Sequence, residues 1–184
     1  MTVPAALRFT YDDYALLPED RRYEVVDGEL FLTPAPMTFH QFVKGRLKHL
    51  LDDFVEAGSL GLVLDAPCDV VLSEHDVLQP DILFVSAARR SVVGEKYVGQ
   101  APDLVIEVLS PSTEDRDRTA KAKRYATFGV KEMWLVDPGA KTIEVLDNTG
   151  EGFERHALFG TGDIAHSPIL PGLEFPVAPV FRPI

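Results

Sequence analysis

Two Pro-Asp steps, Pro80–Asp81 and Pro102–Asp103, each open an apolar run, and the second run carries Glu107 among Leu, Val and Ile. A carboxylate in such a run is costly to bury unless something compensates it. Strand alternation places Glu107 on one face with Val105 and Leu109, opposite Leu104, Ile106 and Val108. Lys121 follows on an expected helix, with Asp117 and Tyr125 four residues to either side, so the three share one stripe. If the strands of Asp81 and Glu107 are neighbours, their carboxylates can share one cation. Mg²⁺ (or Mn²⁺) suits that role, because Mg²⁺ takes oxygen ligands, keeps several waters, and is held by one or two carboxylates plus substrate phosphate. Such an ion lowers the pKa of a bound water and stabilises charge on a scissile phosphate. Two roles are open to Lys121: it orients the attacking water, or it only neutralises Glu107.

Other residues carry weaker signals. Asp103 shares the Glu107 face but, as the first strand residue after a proline, reads as a polar terminus. Glu24 lies in an expected hairpin, as a further acid of the site or as a solvent-facing strand residue. His40 opens a helix and reads as a hydrogen-bonding residue near its N-terminus. The five histidines have no zinc-site pairing, and there is no Gly-rich phosphate loop, no Gly-x-Ser-x-Gly and no partnered cysteine. Cys68, alone, reads as a small buried hydrophobe.

The elements that must position these residues are legible in outline. Thr10 caps a short helix and Asp27–Gly28 turns a hairpin, giving an N-terminal unit over about 9–33. Thr38 is expected to cap a helix from His40 to Ala57, with Phe42, Leu47, Leu50, Leu51 and Phe54 as its apolar stripe and Gly58 as its stop. Strands follow at Leu60–Asp65, Asp69–Leu72 and Asp81–Val85, with 73–76 as a turn and 87–100 as a mobile loop. Leu104–Leu109 reads as a central strand covered on both faces. A helix over Arg116–Phe128 leads to strands at Glu132–Val136, Thr142–Leu146 and Phe153–Leu158. The Pro/Gly-rich tail, about 165–184, is expected to wrap the surface, its apolar stretch at 168–175 hinting at a homodimer contact. The fold class is α/β (α+β), a mixed sheet flanked by helices, in one domain spanning 1–184.

The net charge of −11 argues against indiscriminate nucleic-acid binding, which needs a basic footprint. The window from Glu114 to Glu132 is net positive within this acidic chain, as a binding surface or as a solvated helix face. With no membrane-length apolar run and no leader-like N-terminus, the cytoplasm is the expected location and no membrane partner is expected.

Several motifs, in order, complete the reading: Tyr23-Glu-Val-Val-Asp-Gly-Glu-Leu, Pro34-Ala-Pro with His40, Gln79-Pro-Asp-Ile-Leu-Phe-Val, Ala101-Pro-Asp-Leu-Val-Ile-Glu-Val-Leu-Ser-Pro-Ser-Thr, and Asp117-x-x-x-Lys121-x-x-x-Tyr125. With Gly129-Val-Lys-Glu-Met-Trp-Leu-Val-Asp-Pro, the chain from about Phe9 onward resembles the Uma-two family of restriction-endonuclease-like proteins within the PD-(D/E)XK nuclease superfamily. The resemblance implies a restriction-endonuclease-like core, a divalent-metal site and hydrolysis of DNA phosphodiester bonds. It implies Asp81 and Glu107 as the metal acids. Leu109 stands where the simple superfamily pattern has lysine, and Lys121 on the following helix fills that role. Catalytic assignments are therefore Asp81, Glu107, Lys121 and, as an outer acid, Glu24, with Arg116 to Arg124 approaching the DNA backbone. The alternatives are a non-catalytic interaction module that keeps the fold, and a hydrolase of a small nucleotide or other phosphodiester.

Overall fold

A computed structural model describes residues 7–18 and 20–183. Residues 1–6, part of the N-terminus on which the absence of a leader is read, lie outside it. Thr10 and Asp13 form a reciprocal capping box that starts α1 (Tyr11–Tyr14). Strands β1 (Arg22–Val26) and β2 (Glu29–Thr33) pair antiparallel across Asp27 and Gly28, whose φ angles of 51° and 82° are those of a tight hairpin turn.

The long helix α2 (Thr38–Gly58) starts earlier than expected, with Met37 rather than Thr38 at its N-cap. It also runs through Gly58 to a left-handed cap at Ser59, closed by the Leu60 amide bonding to the Val55 carbonyl. Its buried apolar face is Val43, Leu47, Leu51 and Val55; Leu47 and Leu51 belong to the expected stripe, Leu50 and Phe54 pack against it half-buried, and Phe42 stays exposed under the Arg46 guanidinium.

Next come β3 (Gly61–Asp65), β4 (Val70–Ser73), β5 (Asp76–Leu78) and β6 (Ile82–Ser86). The expected 73–76 turn thus leads into an additional strand. The 87–100 segment is anchored rather than loose: a 3₁₀ turn spans Ala87–Val92, and buried Val98 bridges to Val70 and Val93. β7 (Leu104–Val108) is buried along its length. A continuous helix follows as α3 (Glu114–Arg116), a π-helical turn (Asp117–Lys121) and α4 (Ala122–Thr127). The chain finishes with β8 (Glu132–Asp137), β9 (Thr142–Asn148), β10 (Phe153–Phe159), β11 (Ile164–His166) and β12 (Glu174–Pro176).

A six-stranded sheet of order β10-β9-β8-β7-β6-β3 forms the spine, with β7 and β8 parallel and its other pairs antiparallel. The helix over 114–127 is the crossover between the two parallel strands. A second sheet, β2-β1-β5-β4, carries the hairpin, and β11 pairs with β12. One face of the spine packs Leu104, Ile106 and Val108 against the buried stripe of α2. The other packs Val105 and Leu109 with Tyr125, Val26 and Leu78. Glu107 projects from this second face, as alternation requires.

The tail departs from expectation. Leu170, Leu173, Phe175, Val177, Val180 and Phe181 are buried in the first core, so the large apolar side chains of the 168–175 stretch point inward rather than forming the expected exposed apolar contact. Buried Glu132 holds it there, accepting hydrogen bonds from the Ser167 hydroxyl (2.7 Å) and the Ile169 amide (3.1 Å).

Candidate active site

The register of β6 and β7 pairs Ile82 with Ile106, which sets Asp81, one residue before β6, opposite Glu107. Asp81 Oδ2 accepts the Val108 amide at 2.8 Å, and His40 Nε2, from the first turn of α2, lies 3.2 Å from the same oxygen. Glu107 Oε1 accepts the Tyr125 hydroxyl at 2.8 Å and lies 2.6 Å from Lys121 Nζ. That ammonium also reaches Glu24 Oε1 at 3.0 Å and Asp117 Oδ1 at 3.5 Å. Glu24 comes from β1 in the second sheet; the Gln79 amide donates to it at 2.9 Å, and Arg116, lying over the Phe31 ring, sits 3.4 Å away. The carboxylates and Lys121 line a cavity of about 60 Å³ together with His40, Gln79 and Arg116.

Five separate parts of the fold thus converge: the strand Pro-Asp step, the central strand, the hairpin, the start of α2 and the π turn. π turns recur at functional sites, and this one carries both Asp117 and Lys121, each almost fully buried. The four predicted residues Asp81, Glu107, Lys121 and Glu24 all line the same cavity.

Charge is unbalanced there. Four carboxylates (Glu24, Asp81, Glu107, Asp117) face three permanent cations, Lys121, Arg116 and Arg22. Burial pushes the Glu107 carboxyl well above the ordinary range; Lys121 draws it back, while Asp117, Asp81 and Glu24 add to the rise. Burial also raises Asp117 against the pull of Lys121. For Lys121 burial acts downward, but the surrounding carboxylates, Glu107 first, outweigh it and hold the ammonium protonated well above its usual range.

One oxygen of each opposed acid, Asp81 Oδ1 and Glu107 Oε2, has no hydrogen bond to the described residues. Among those residues no three His, Cys, Asp or Glu side chains form a protein-only metal cage. Two opposed carboxylates with free oxygens in an anion-rich, open cavity nevertheless match the donor set of a small hard cation that keeps its waters.

Most of the predicted basic surface is taken up by internal ion pairs, although Lys123 is exposed and has no ion pair among the described residues. Arg116 pairs with Glu24, Arg118 with Glu114 and Glu144, Lys121 with Glu107, and Arg124 with Asp76 through two bonds of 2.7 and 2.6 Å. These side chains are committed to partners within the chain. Asp103 is a buried clamp that accepts the Ser86 amide and pairs with Lys131 and Arg89. Burial raises its carboxyl, but the hydrogen bonds from Lys131 and Ser86 outweigh this and hold it below the ordinary range. Sequence reasoning left His40 and Gln79 out of the site, and expected Arg116 at the DNA backbone rather than on Glu24. His40 and Gln79 belong to motifs already singled out, and Arg116 lies one residue before Asp117, but only the tertiary fold brings them to Asp81 and Glu24.

Among the described residues, no helix is long and apolar enough to cross a membrane. A comparison with curated proteins finds no match. Among solved structures, one from Anabaena variabilis ATCC 29413, described as "a putative nuclease belonging to DUF820", is similar in fold with a TM-score of 0.78. It is 20% identical, and the match covers 94% of this chain and 97% of that one. A family model, Uma2, described as "Putative restriction endonuclease", matches residues 10–178, and the chain belongs to that family.

Proposed function

We propose that this protein is a divalent-metal-dependent endonuclease that hydrolyses DNA phosphodiester bonds, with Asp81 and Glu107 as the acids that hold Mg²⁺ or Mn²⁺. The observation that carries the reading is the convergence of Lys121 Nζ, 2.6 Å from Glu107, with Asp81 across the strand pair in one acid-rich cavity. When bound, the cation supplies a more acidic water and charge stabilisation at the scissile phosphate. The residues of the chain do the positioning. Lys121 presents a permanent ammonium beside Glu107, where it orients the attacking water. Glu24 and Asp117 hold that ammonium in place, so Glu24 acts through Lys121 rather than on the substrate. His40 and the Val108 amide fix Asp81 Oδ2, leaving Oδ1 for the cation.

A second reading, hydrolysis of a small nucleotide or another phosphodiester, is favoured by the internal pairing of the arginines over 116–124. The deciding experiment is cleavage of plasmid and single-stranded DNA with Mg²⁺ or Mn²⁺, run on wild type, Glu107→Ala and Lys121→Ala. Metal-dependent nicking that both variants lose supports the proposal. Wild type inert on DNA in both metals overturns it; hydrolysis of bis-p-nitrophenyl phosphate then selects the second reading, and inertness there too leaves a non-catalytic interaction module.

A further inference from the structure

A second cavity, of about 480 Å³, adjoins the acid-lined one, and Arg22 and Gln79 line both. Its walls include three tyrosines, Tyr11, Tyr14 and Tyr23, with Arg21 and Lys96 at its exposed parts. Tyr11 and Tyr14 come from α1 and Tyr23 from β1, and the two on α1 are held rather than loose. The Tyr11 ring stands edge-on to Tyr97 with centroids 5.4 Å apart, and lies 6.3 Å from Tyr14 at a shallow angle of 28°. The Tyr14 hydroxyl donates to Asp69 Oδ1 at 2.8 Å, and Gln79 Nε2 donates to the same oxygen at 2.8 Å. Gln79 Oε1 is buried without a donor, an unmet acceptor at the junction of the two cavities. The Gln79 backbone amide holds Glu24, so one residue links the tyrosine cavity to the Lys121 cluster.

We infer that this cavity is a nucleotide subsite: it takes one unpaired base by stacking on its tyrosines, while the phosphate next to that base lies at Asp81 and Glu107. The inference deepens the nuclease reading and rests on it for where the phosphate sits. Three supports carry it. Ligand sites of this size, walled by aromatic rings with a few polar groups, suit a base and its sugar. Every base has a π face, so stacking on tyrosine recognises nucleotides without regard to sequence. Arg21, Arg22 and Lys96 supply cations at a place where the rest of an acidic chain does not. A base inside a duplex is already stacked and paired and cannot enter; an unpaired one can, whether it belongs to a single strand or to a free nucleotide.

The test uses fluorescence anisotropy of a short end-labelled oligodeoxynucleotide, single-stranded or annealed, with Ca²⁺ replacing Mg²⁺ so that binding is read without turnover. Unlabelled AMP serves as competitor. Wild type is expected to bind the single strand more tightly than the duplex. Tyr11→Ala is expected to weaken that binding by roughly 5- to 100-fold, and Tyr11→Phe, which keeps the ring, to restore it. Competition by AMP assigns the subsite to a free nucleotide; its failure to compete assigns it to a strand. Either result stands with the inference. Equal binding of strand and AMP by wild type, Tyr11→Ala and Tyr97→Ala overturns it, as does absence of binding by wild type. The nuclease reading is judged separately, by cleavage with wild type against Glu107→Ala. Cleavage that ignores Tyr11→Ala sinks the subsite alone. Tyr11-dependent binding by a wild type that hydrolyses nothing sinks the nuclease reading alone.

Discussion

Lys121 and Glu107 touch each other, yet their replacement should have very unequal consequences for stability. Lys121 is the only cation within 4 Å of Glu107 among the described residues, and it also serves Glu24 and Asp117. Lys121→Ala leaves three buried acids facing one another, and breaking a buried pair from one side typically costs about 3 to 5 kcal/mol. Glu107→Gln instead removes one of four carboxylates from an anion-rich cavity and leaves Lys121 paired with Glu24 and Asp117. Its amide can still accept from Tyr125, so urea unfolding in metal-free buffer should find it within about 1 kcal/mol of wild type. The two variants should therefore part in stability while both lose hydrolysis. Mg²⁺ gives the complementary measurement. If it binds between Asp81 and Glu107, saturating it to a hundredfold excess over Kd should stabilise wild type by about 2.7 kcal/mol. Glu107→Gln should show little of that gain. An equal gain in both proteins would remove Glu107 from the metal site.

At the level of elements, a carboxylate far from the cleft ties the crossover helix to the hairpin. Asp76 in β5 accepts from the Asp27 amide, the Ser73 hydroxyl and both Nε and Nη2 of Arg124 in α4. Burial raises its carboxyl, but the bonds from Arg124 and Ser73 outweigh this and hold it below the ordinary range. The sign follows from linkage: a depressed carboxyl contributes stability that is present above its unfolded value, near 3.8, and lost as pH falls through the lower folded value. Asp76→Asn should thus cost about 3 kcal/mol at neutral pH, and its deficit against wild type should shrink as pH falls below about 4. A deficit independent of pH would mean that the carboxylate charge is immaterial. The same contact shows why β5 was not legible in the sequence. Three residues carry no periodicity, and the partner that fixes this strand lies 48 residues away. Strand alternation and four-residue helical spacing, both local, did place Glu107, Lys121, Asp117 and Tyr125 on the correct faces. In α2 the sequence offers two overlapping apolar stripes, through Phe42 and through Val43, and only the sheet beneath, with Ile106 and Val108, selects the second. Leu170, Leu173 and Phe175 follow no regular period, so their burial could not be read from spacing. Glu24 and His40 reach the cleft from the hairpin and the start of α2, which is a property of tertiary packing alone.

For the whole molecule the governing quantity is charge. A chain of net charge −11 that pairs Arg116, Arg118, Lys121 and Arg124 with its own carboxylates does not present the crossover helix as a row of free cations to a phosphate backbone. Extended duplex DNA, which binds proteins chiefly by releasing counterions from many phosphates, should therefore be held weakly and non-specifically at best. A single strand entering by the tyrosine cavity meets Arg21, Arg22 and Lys96, and those three define the expected electrostatic footprint. Each phosphate neutralised on a single strand contributes about 0.7 to the slope of log K against log salt. Three such contacts give a slope of about −2, with stacking on Tyr11 supplying a part of the affinity that salt does not screen. Anisotropy titrations of wild type in Ca²⁺ at several NaCl concentrations measure this directly. A slope near −2 that flattens on Lys96→Ala places the strand across the tyrosine cavity. A slope of about −4 or steeper, indifferent to Lys96→Ala, would put the phosphates on other cations, exposed Lys123 among them, and would take the strand off the tyrosine cavity.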